Sequence, residues 1–90
     1  MNKLDITKTT IKFLEKLPPK PFRQIVRTIF KLREVPEPHD SKQLIGHPEY
    51  RRVDIGEYRI IYRVDGDVIK ICIAGKRNDS EIYKRFKRSH

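Results

Sequence analysis

The residues best suited to chemistry are a few arginines and one tyrosine in the second half of the chain. Arg52, Arg59 and Arg77 carry a permanent positive charge, and Tyr83 offers an aromatic ring with a hydroxyl group. Arginine binds phosphate through paired hydrogen bonds, and aromatic rings stack on unpaired bases, so this set favours RNA recognition. Taken singly, each arginine is explained as well by a solvated strand position, and Tyr83 by packing of a helix on the core.

The same set would suffice for RNA cleavage without a metal ion. RNA carries its own nucleophile, the 2′-hydroxyl, so a protein needs only to orient it, assist proton transfer and neutralise the phosphorane. Signals for a metal site are weak, because His39, His47 and His90 have no paired spacing and Cys72 is a single cysteine. Asp65-Gly66-Asp67 lacks the further ligands of a cation loop and is typical of a turn. We therefore predict no metal and no cofactor.

The composition predicts a single basic domain, residues 1–90, with a polyanionic partner. The 90 residues include 21 Lys and Arg against 12 Asp and Glu, which gives a net charge of +9. Nucleic acid, a ribosome, an acidic protein or a membrane surface would each suit this charge. One cysteine excludes an internal disulfide, and the lack of a signal peptide or long apolar run predicts a soluble cytoplasmic protein.

Residues 50–77 predict the three-stranded antiparallel meander that carries most of these side chains. The predicted strands are Tyr50–Ile55, Tyr58–Val64 and Val68–Ala74. In the middle strand Arg59, Ile61 and Arg63 alternate with aromatic and apolar residues, which is the period of a strand packed on one face. Asp65-Gly66 reverses the chain, because glycine adopts positive φ at little cost. The arginine face is therefore expected to lie outside the core.

Two helices are predicted before the meander and one after it. Asn2–Thr7 is a short first strand, Lys8–Leu17 is a helix that the following prolines end, and a second helix starts near Pro21. Asp79 or Ser80 caps the C-terminal helix. The apolar face of the second helix comprises Phe22, Ile25, Val26, Ile29, Phe30 and Leu32, and that of the last helix Ile82, Tyr83 and Phe86. The predicted fold is α+β, in the order β-α-α-β-β-β-α, with a small, mainly antiparallel four-stranded sheet packed against an N-terminal helix hairpin.

Four segments together indicate a family. They are Lys42–Gly46, Tyr50–Val53, Gly56–Tyr62 and Gly75–Tyr83, and they include the strand motif Tyr58-Arg59-Ile60-Ile61-Tyr62. Over nearly its whole length the chain resembles RelE-type toxins of the RelE/ParE toxin–antitoxin superfamily. The resemblance implies a toxin that enters the ribosomal A site, cuts mRNA without a metal and inhibits translation. It also implies a small RelB-like antitoxin protein that wraps and inhibits the toxin.

The resemblance assigns roles to individual residues. It implies that Arg59 and Arg77 stabilise the scissile phosphate and that Tyr83 stacks on a base. Arg52 matches the first of two basic residues that RelE toxins often carry on the second strand, but the second falls on Asp54. Asp54 is either a base or the partner of Arg52 or Arg59 in a salt bridge. We favour the salt bridge, because a carboxylate beside arginine is stabilised in its charged, weakly basic form.

Arg51, Arg52 and Lys76 are further candidates for RNA binding. Glu81 is a second candidate acid or base, although a surface position on the last helix explains it equally well. Two other functions stay open. A ParE-like member would poison DNA gyrase without cutting RNA, but that branch generally lacks the set of two arginines and a tyrosine. A degenerate member would act only as an antitoxin-binding module, which the aspartate at position 54 would explain.

Overall fold

A five-stranded sheet forms the centre of the computed structural model, which describes residues 2–78 and 81–89. Its strands are β1 (Lys3–Ile6), β2 (Lys42–Leu44), β3 (His47–Ile55), β4 (Tyr58–Asp65) and β5 (Val68–Lys76). Their spatial order is β1-β5-β4-β3-β2. β1 and β5 run parallel, and the other neighbours run antiparallel. The predicted α+β class and the mainly antiparallel sheet are confirmed.

The sheet has one strand more than the four predicted. The segment Lys42–Leu44 pairs antiparallel with β3, so that Leu44 lies opposite His47. A strand of three residues is too short to show a periodic pattern, and its pairing rather than its composition defines it. The two-residue connection lets β3 begin at His47, upstream of the predicted Tyr50.

Three helices flank the sheet: α1 (Lys8–Glu15), α2 (Pro19–Glu34) and α3 (Glu81–Ser89). The Thr7 hydroxyl caps α1 by accepting a hydrogen bond from the Thr10 backbone N–H at 3.3 Å. α2 begins at Pro19 rather than at the predicted Pro21. Proline is tolerated in the first turn, because the N–H groups there have no acceptor within the helix and the missing N–H of proline breaks no hydrogen bond. None of the helices formed by the described residues has the length and apolar content to cross a membrane.

The predicted helix hairpin packs on one face of the sheet and forms the larger core. Its buried side chains come from both helices and from the three central strands: Leu14, Ile25, Ile29, Leu32, Val53, Ile60, Tyr62, Ile69, Ile71 and Ala74. The Tyr62 hydroxyl donates to the Pro36 carbonyl at 2.7 Å, which ties the loop after α2 to the sheet. The apolar stripe of α2 is wider than this core, because Phe22 and Phe30 are exposed.

The opposite face of the sheet is also packed, contrary to the expectation that only one face is buried. Helix α3 covers a second core there, made of Leu44, Tyr50, Ile61, Cys72, Ile73, Ile82 and Phe86. The pairing of β4 with β5 shifts by one residue here, because Ile61 pairs with Ile73 while the next residue, Tyr62, pairs with Ile71. Cys72 is the extra residue, as in a β-bulge, and belongs to the core beneath α3. Strand β5 therefore contributes side chains to the cores on both faces of the sheet. The predicted caps of α3, Asp79 and Ser80, lie outside the described residues.

Candidate functional site

The Asp54 carboxylate is the point on which three arginine side chains converge. Arg59 binds it through two atoms, with Nε 2.6 Å from Oδ1 and Nη2 3.2 Å from Oδ2. The Nη1 atoms of Arg52 and Arg77 lie 3.8 Å and 3.7 Å from Oδ2. We call Arg52, Asp54, Arg59, Arg77 and Tyr83 the Asp54 cluster. The salt bridge favoured from the sequence, with Arg52 or Arg59, is therefore present with both arginines, and Arg77 joins them.

Short connections in the chain bring these arginines together. The two-residue turn at Gly56-Glu57, where Gly56 has a φ of 57°, pairs Asp54 directly with Arg59 across β3 and β4. Arg52 precedes Asp54 by two residues, so strand alternation puts both side chains on the face covered by α3. The Arg77 backbone N–H donates to the Glu57 carbonyl at 2.9 Å, which fixes the end of β5 beside the turn.

Helix α3 contributes Tyr83 to the cluster. The Tyr83 hydroxyl accepts a hydrogen bond from Arg59 Nη1, and the Arg59 guanidinium carbon lies 5.7 Å from the centre of the tyrosine ring. This geometry combines a hydrogen bond with a cation–π contact. Arg59 is held on both sides, by Asp54 and by Tyr83, and its side chain is only 14% exposed. We expected Arg59 on an open strand surface; it lies instead beneath α3, because the second core brings that helix onto the sheet.

Helix α3 packs closely over a glycine of β5. Gly75 pairs with Arg59 in the sheet, and a Cβ atom at Gly75 would lie 2.7 Å from Arg85 Nη2 and 3.4 Å from the Ile82 Cβ. The same Arg85 nitrogen donates to the Ala74 carbonyl at 2.9 Å. The absence of a side chain at Gly75 therefore leaves room for Ile82 and Arg85 of α3, the helix that carries Tyr83, to pack on β5.

The electrostatics of the cluster keep its ion pair charged. The hydrogen bond from Arg59 lowers the pKa of Asp54; burial opposes this, and the charges of Arg59, Arg52 and Arg77 reinforce it. The hydrogen bond with Asp54 in turn raises the pKa of Arg59 against the effect of burial. Asp54 is thus a weak base at neutral pH. Three guanidinium groups facing one carboxylate leave the site positively charged, and so suited to a phosphate.

The other candidate residues lie elsewhere. Arg51 points to the helix-hairpin side, where it donates to the Ser41 hydroxyl at 3.0 Å and to the Ser41 carbonyl at 3.3 Å. Lys76 is exposed and pairs with Tyr58, whose ring packs against the hairpin core. Glu81 accepts a hydrogen bond from Arg88 at 3.0 Å on the exposed side of α3. The structure therefore brings together the two arginines, the tyrosine, Arg52 and Asp54, and gives Arg51 contacts within the fold.

Two further features bear on chemistry. Within residues 2–78 and 81–89, no three His, Cys, Asp or Glu side chains lie together as metal ligands would. Cys72 is buried, and burial raises the pKa of its thiol, which fits the packing role expected for it.

A cleft of about 270 Å³ adjoins the cluster between α3 and the β2–β3 turn. Arg52 and Tyr83 belong to both the cluster and the cleft, whereas Ile45, His47 and Lys87 were not among the candidate RNA-binding or catalytic residues. An isoleucine directly before the turn glycine Gly46 is the one sequence signal that could have drawn attention to this place.

Comparisons with known proteins agree with this architecture. The sequence model of a family described as the ParE toxin of the type II toxin–antitoxin system parDE matches residues 4–80. No curated protein matches the chain significantly.

Several solved structures share the fold. RelE in an archaeal RelE–RelB complex from Pyrococcus horikoshii is 30% identical, with a TM-score of 0.75 over 84% of this chain and 94% of that one. A RelBE toxin–antitoxin complex from Mycobacterium tuberculosis contains a chain 26% identical, with a TM-score of 0.72 over 84% of this chain and 98% of the other. A double mutant of Escherichia coli RelE in the free state is 25% identical, with a TM-score of 0.79 over 97% and 96% of the two chains.

Proposed function

Because the chain belongs to the ParE toxin family of type II toxin–antitoxin systems, within the RelE/ParE superfamily, we propose that it is a ribosome-dependent endoribonuclease that cuts mRNA. The observation that carries this proposal is the convergence of Arg52, Arg59 and Arg77 on one point beside Tyr83. Membership of the family alone indicates that the protein is a toxin but not how it acts. The cluster adds three positive charges and an aromatic side chain, which suit the binding and neutralisation of a phosphodiester.

The proposed reaction uses the RNA as its own nucleophile. The 2′-hydroxyl loses its proton to solvent water as its oxygen attacks the adjacent phosphorus, the bond from phosphorus to the 5′-oxygen breaks and that oxygen takes up a proton, so that a 2′,3′-cyclic phosphate and a free 5′-hydroxyl result. Negative charge grows on the phosphate oxygens during the attack. We propose that Arg59 and Arg77 stabilise that charge once the phosphate has replaced Asp54, since both guanidinium groups face the same point.

Binding of substrate in this way requires the phosphate to compete with Asp54. The carboxylate occupies the point where the three guanidinium groups meet, which is where a phosphate would be bound best. Asp54 is too weakly basic, with its lowered pKa, to be an efficient acceptor for the 2′-hydroxyl proton. We therefore assign it as an internal competitor of the phosphate. We propose the Tyr83 hydroxyl, which is held beside Arg59, as the donor of a proton to the leaving 5′-oxygen.

The alternative function is that of a gyrase poison, and the match to a ParE toxin family model favours it. The test is to induce the toxin in growing cells and to map mRNA 5′ ends together with gyrase-linked DNA breaks. We expect growth to stop and new mRNA ends to appear inside translated regions, as cleavage by a cytoplasmic toxin would produce. Arrest with intact mRNA and accumulated DNA breaks would assign the protein to the gyrase poisons. Absence of both, with an antitoxin still bound, would identify a member that only binds its partner.

We further propose a small antitoxin protein as the partner, because RelE–RelB and RelBE complexes are among the similar structures. The helix hairpin exposes Ile11, Phe22 and Phe30, and the residue after it, Val35, is exposed as well. An amphipathic segment of the antitoxin that folds on binding could cover this apolar surface. Given the net charge of +9, acidic residues beside that segment should make binding salt-sensitive. Calorimetry at low and high salt tests this, and an affinity independent of salt would contradict it.

A further inference from the structure

Helix α3 rests on the sheet along one line of apolar side chains, with a cleft on each flank. Ile82 and Phe86, which are about one turn apart, are each 1% exposed and belong to the core beneath the helix. The cleft of about 270 Å³ lies on one flank, and a second cleft of about 290 Å³, lined by Thr9 and Thr10 of α1, lies on the other. Apolar contact has no preferred direction, so a single line of it does not fix the rotation of the helix about its own axis.

Two hydrogen bonds hold α3 on opposite flanks. Successive side chains are about 100° apart on a helix, so Tyr83, after Ile82, and Arg85, before Phe86, lie on opposite sides of the apolar line. The Tyr83 hydroxyl accepts from Arg59, and Arg85 Nη2 donates to a carbonyl of β5 at 2.9 Å. Because hydrogen bonds are directional, the two together fix the rotation that the apolar contacts leave free.

The sheet connects these two hydrogen bonds. The carbonyl that Arg85 binds belongs to Ala74, the residue before Gly75, and Gly75 pairs with Arg59 across β4 and β5. The anchor point of Arg85 is therefore backbone next to the residue that faces Arg59. A rotation of α3 that broke the bond to Ala74 would also move Tyr83 relative to Arg59.

The proposed reaction makes the bond on the Arg85 side the more durable of the two. When a phosphate replaces Asp54, the donors of Arg59 turn to the substrate, and the hydrogen bond from Arg59 to Tyr83 is weakened. The bond from Arg85 is made to backbone on the other flank of the helix, where the Asp54 cluster does not reach. It can therefore persist while the substrate is bound.

We infer that Arg85 is a positioning residue, which fixes the rotation of α3 and so holds Tyr83 beside Arg59. The role of Tyr83 in this inference rests on the proposed function, whereas the dependence of its position on Arg85 concerns the fold alone. Arg85 was not among the candidate residues, because nothing in its sequence surroundings marks its contact with β5.

The first test measures the position of Tyr83 rather than cleavage. Tyrosine rings labelled with ¹³C should give one set of NMR signals for each of the four tyrosines, and Tyr83→Phe identifies the set from Tyr83. Arg85→Met keeps the apolar stem and loses the donor, so the Tyr83 signal should shift or broaden. Signals of Tyr58 and Tyr62, on the hairpin side of the sheet, should stay unchanged. Arg85→Lys, which retains a donor, should restore most of the wild-type signal.

The second test asks whether Arg85 acts through Tyr83. In single-turnover cleavage on programmed ribosomes, Arg85→Met should slow the reaction roughly tenfold, because it misplaces the tyrosine. In a Tyr83→Ala background the same substitution should have no further effect. A general loss of folding would slow cleavage by the same factor in both backgrounds.

The matched control is Arg88→Met, which removes the same charge from the same helix. The Arg88 side chain lines the same cleft as Arg85 but is 70% exposed and pairs with Glu81 at 3.0 Å. Its replacement should leave both the Tyr83 signal and the cleavage rate unchanged. Collapse of all four tyrosine signals in Arg85→Met would show an unfolded chain, and Arg85→Gln, a smaller change, then serves for the same comparison.

Two results would overturn the inference: an unchanged Tyr83 signal in the folded Arg85 variant, or equal slowing with and without Tyr83. The outcome is separable from the nuclease proposal. A chain whose Tyr83 signal responds to Arg85 but which leaves mRNA intact keeps the positioning role and loses the nuclease. A chain that cuts mRNA with an unresponsive Tyr83 signal keeps the nuclease and loses the positioning role.

Discussion

Asp54 binds Arg59 with both carboxylate oxygens, at 2.6 Å and 3.2 Å, in the paired geometry by which arginine also binds a phosphate. The two anions would therefore use the same donors of the same side chain. At the position where the resemblance to RelE toxins implies a second basic residue, this chain carries the carboxylate that occupies the centre of its own arginine cluster. The activity of the protein should consequently depend on how easily a phosphate replaces this carboxylate.

Removing the charge of Asp54 should increase RNA cleavage. In Asp54→Asn the guanidinium groups are free to bind the phosphate, and we expect roughly tenfold faster single-turnover cleavage on programmed ribosomes. Asp67→Asn, in the exposed β4–β5 turn, makes the same change in net charge and should have little effect. Loss of cleavage in both Asp54→Asn and Asp54→Lys, with folding retained, would instead identify Asp54 as the base.

Arg59 and Arg77 should be the main contributors to the rate. In the proposed reaction each stabilises charge that develops only in the transition state, so Arg59→Ala and Arg77→Ala should each slow cleavage by roughly a hundred- to a thousand-fold. Lysine at either position should restore only part of the rate, because it lacks the paired donors. Arg27→Ala, on the exposed side of α2, controls for the loss of one positive charge. Unchanged cleavage in the Arg59→Ala, Arg77→Ala double variant would refute the assignment. Circular dichroism is needed for Arg59→Ala in particular, since this side chain is largely buried.

Two substitutions at Tyr83 separate its ring from its hydroxyl. Tyr83→Ala removes a stacking surface and should weaken RNA binding by roughly tenfold or more. Tyr83→Phe keeps the ring and removes only the acceptor for Arg59 and the proton of the hydroxyl. A rate for Tyr83→Phe within a few-fold of the wild type would assign Tyr83 to positioning. A loss in rate as large as that of Tyr83→Ala, with binding unchanged, would show that the hydroxyl delivers the proton.

The Asp54–Arg59 pair should stabilise the fold in a pH-dependent way. The pKa of Asp54 is lowered in the folded state, so its contribution is complete above the ordinary carboxyl value of 3.8 and is lost as the pH falls below it. Urea unfolding at pH 7 should find Asp54→Asn less stable than the wild type by about 1 kcal/mol, a modest figure because the pair is partly exposed. Near pH 3 the difference should narrow. A difference that widens in acid would mean that Asp54 is not held as a carboxylate by its arginines.

Much of the framework could be predicted because it depends on local patterns. Alternation in Tyr58–Val64 and the Asp65-Gly66 turn predict β4 and its connection to β5, and the prolines after α1 separate the two helices. The pairing of Asp54 with Arg59 could also be predicted, since a two-residue turn at Gly56-Glu57 places these positions opposite each other.

The second core could not be predicted in this way. Ile61 alternates with arginines and reads as exposed, but α3 buries it. That burial accompanies the bulge at Cys72 and the close packing of α3 over Gly75, and neither feature has a local sequence pattern. The contact between Arg77 and Asp54 could not be predicted for a similar reason. It depends on the hydrogen bond between the end of β5 and the Glu57 carbonyl, which joins positions far apart in the sequence.

The parallel pairing of β1 with β5, in which Lys3 lies opposite Val68, limits how early in translation the sheet can be completed. β1 is synthesised well before β5, its neighbour in the sheet, so translation must pass β5 before this edge of the sheet can close. Helix α3, which brings Tyr83 to Arg59, is translated later still. The cluster therefore forms only after α3 has been translated and has packed on the sheet. For a protein proposed to attack translating ribosomes, the complete cluster is thus absent while β1 to β5 are being synthesised.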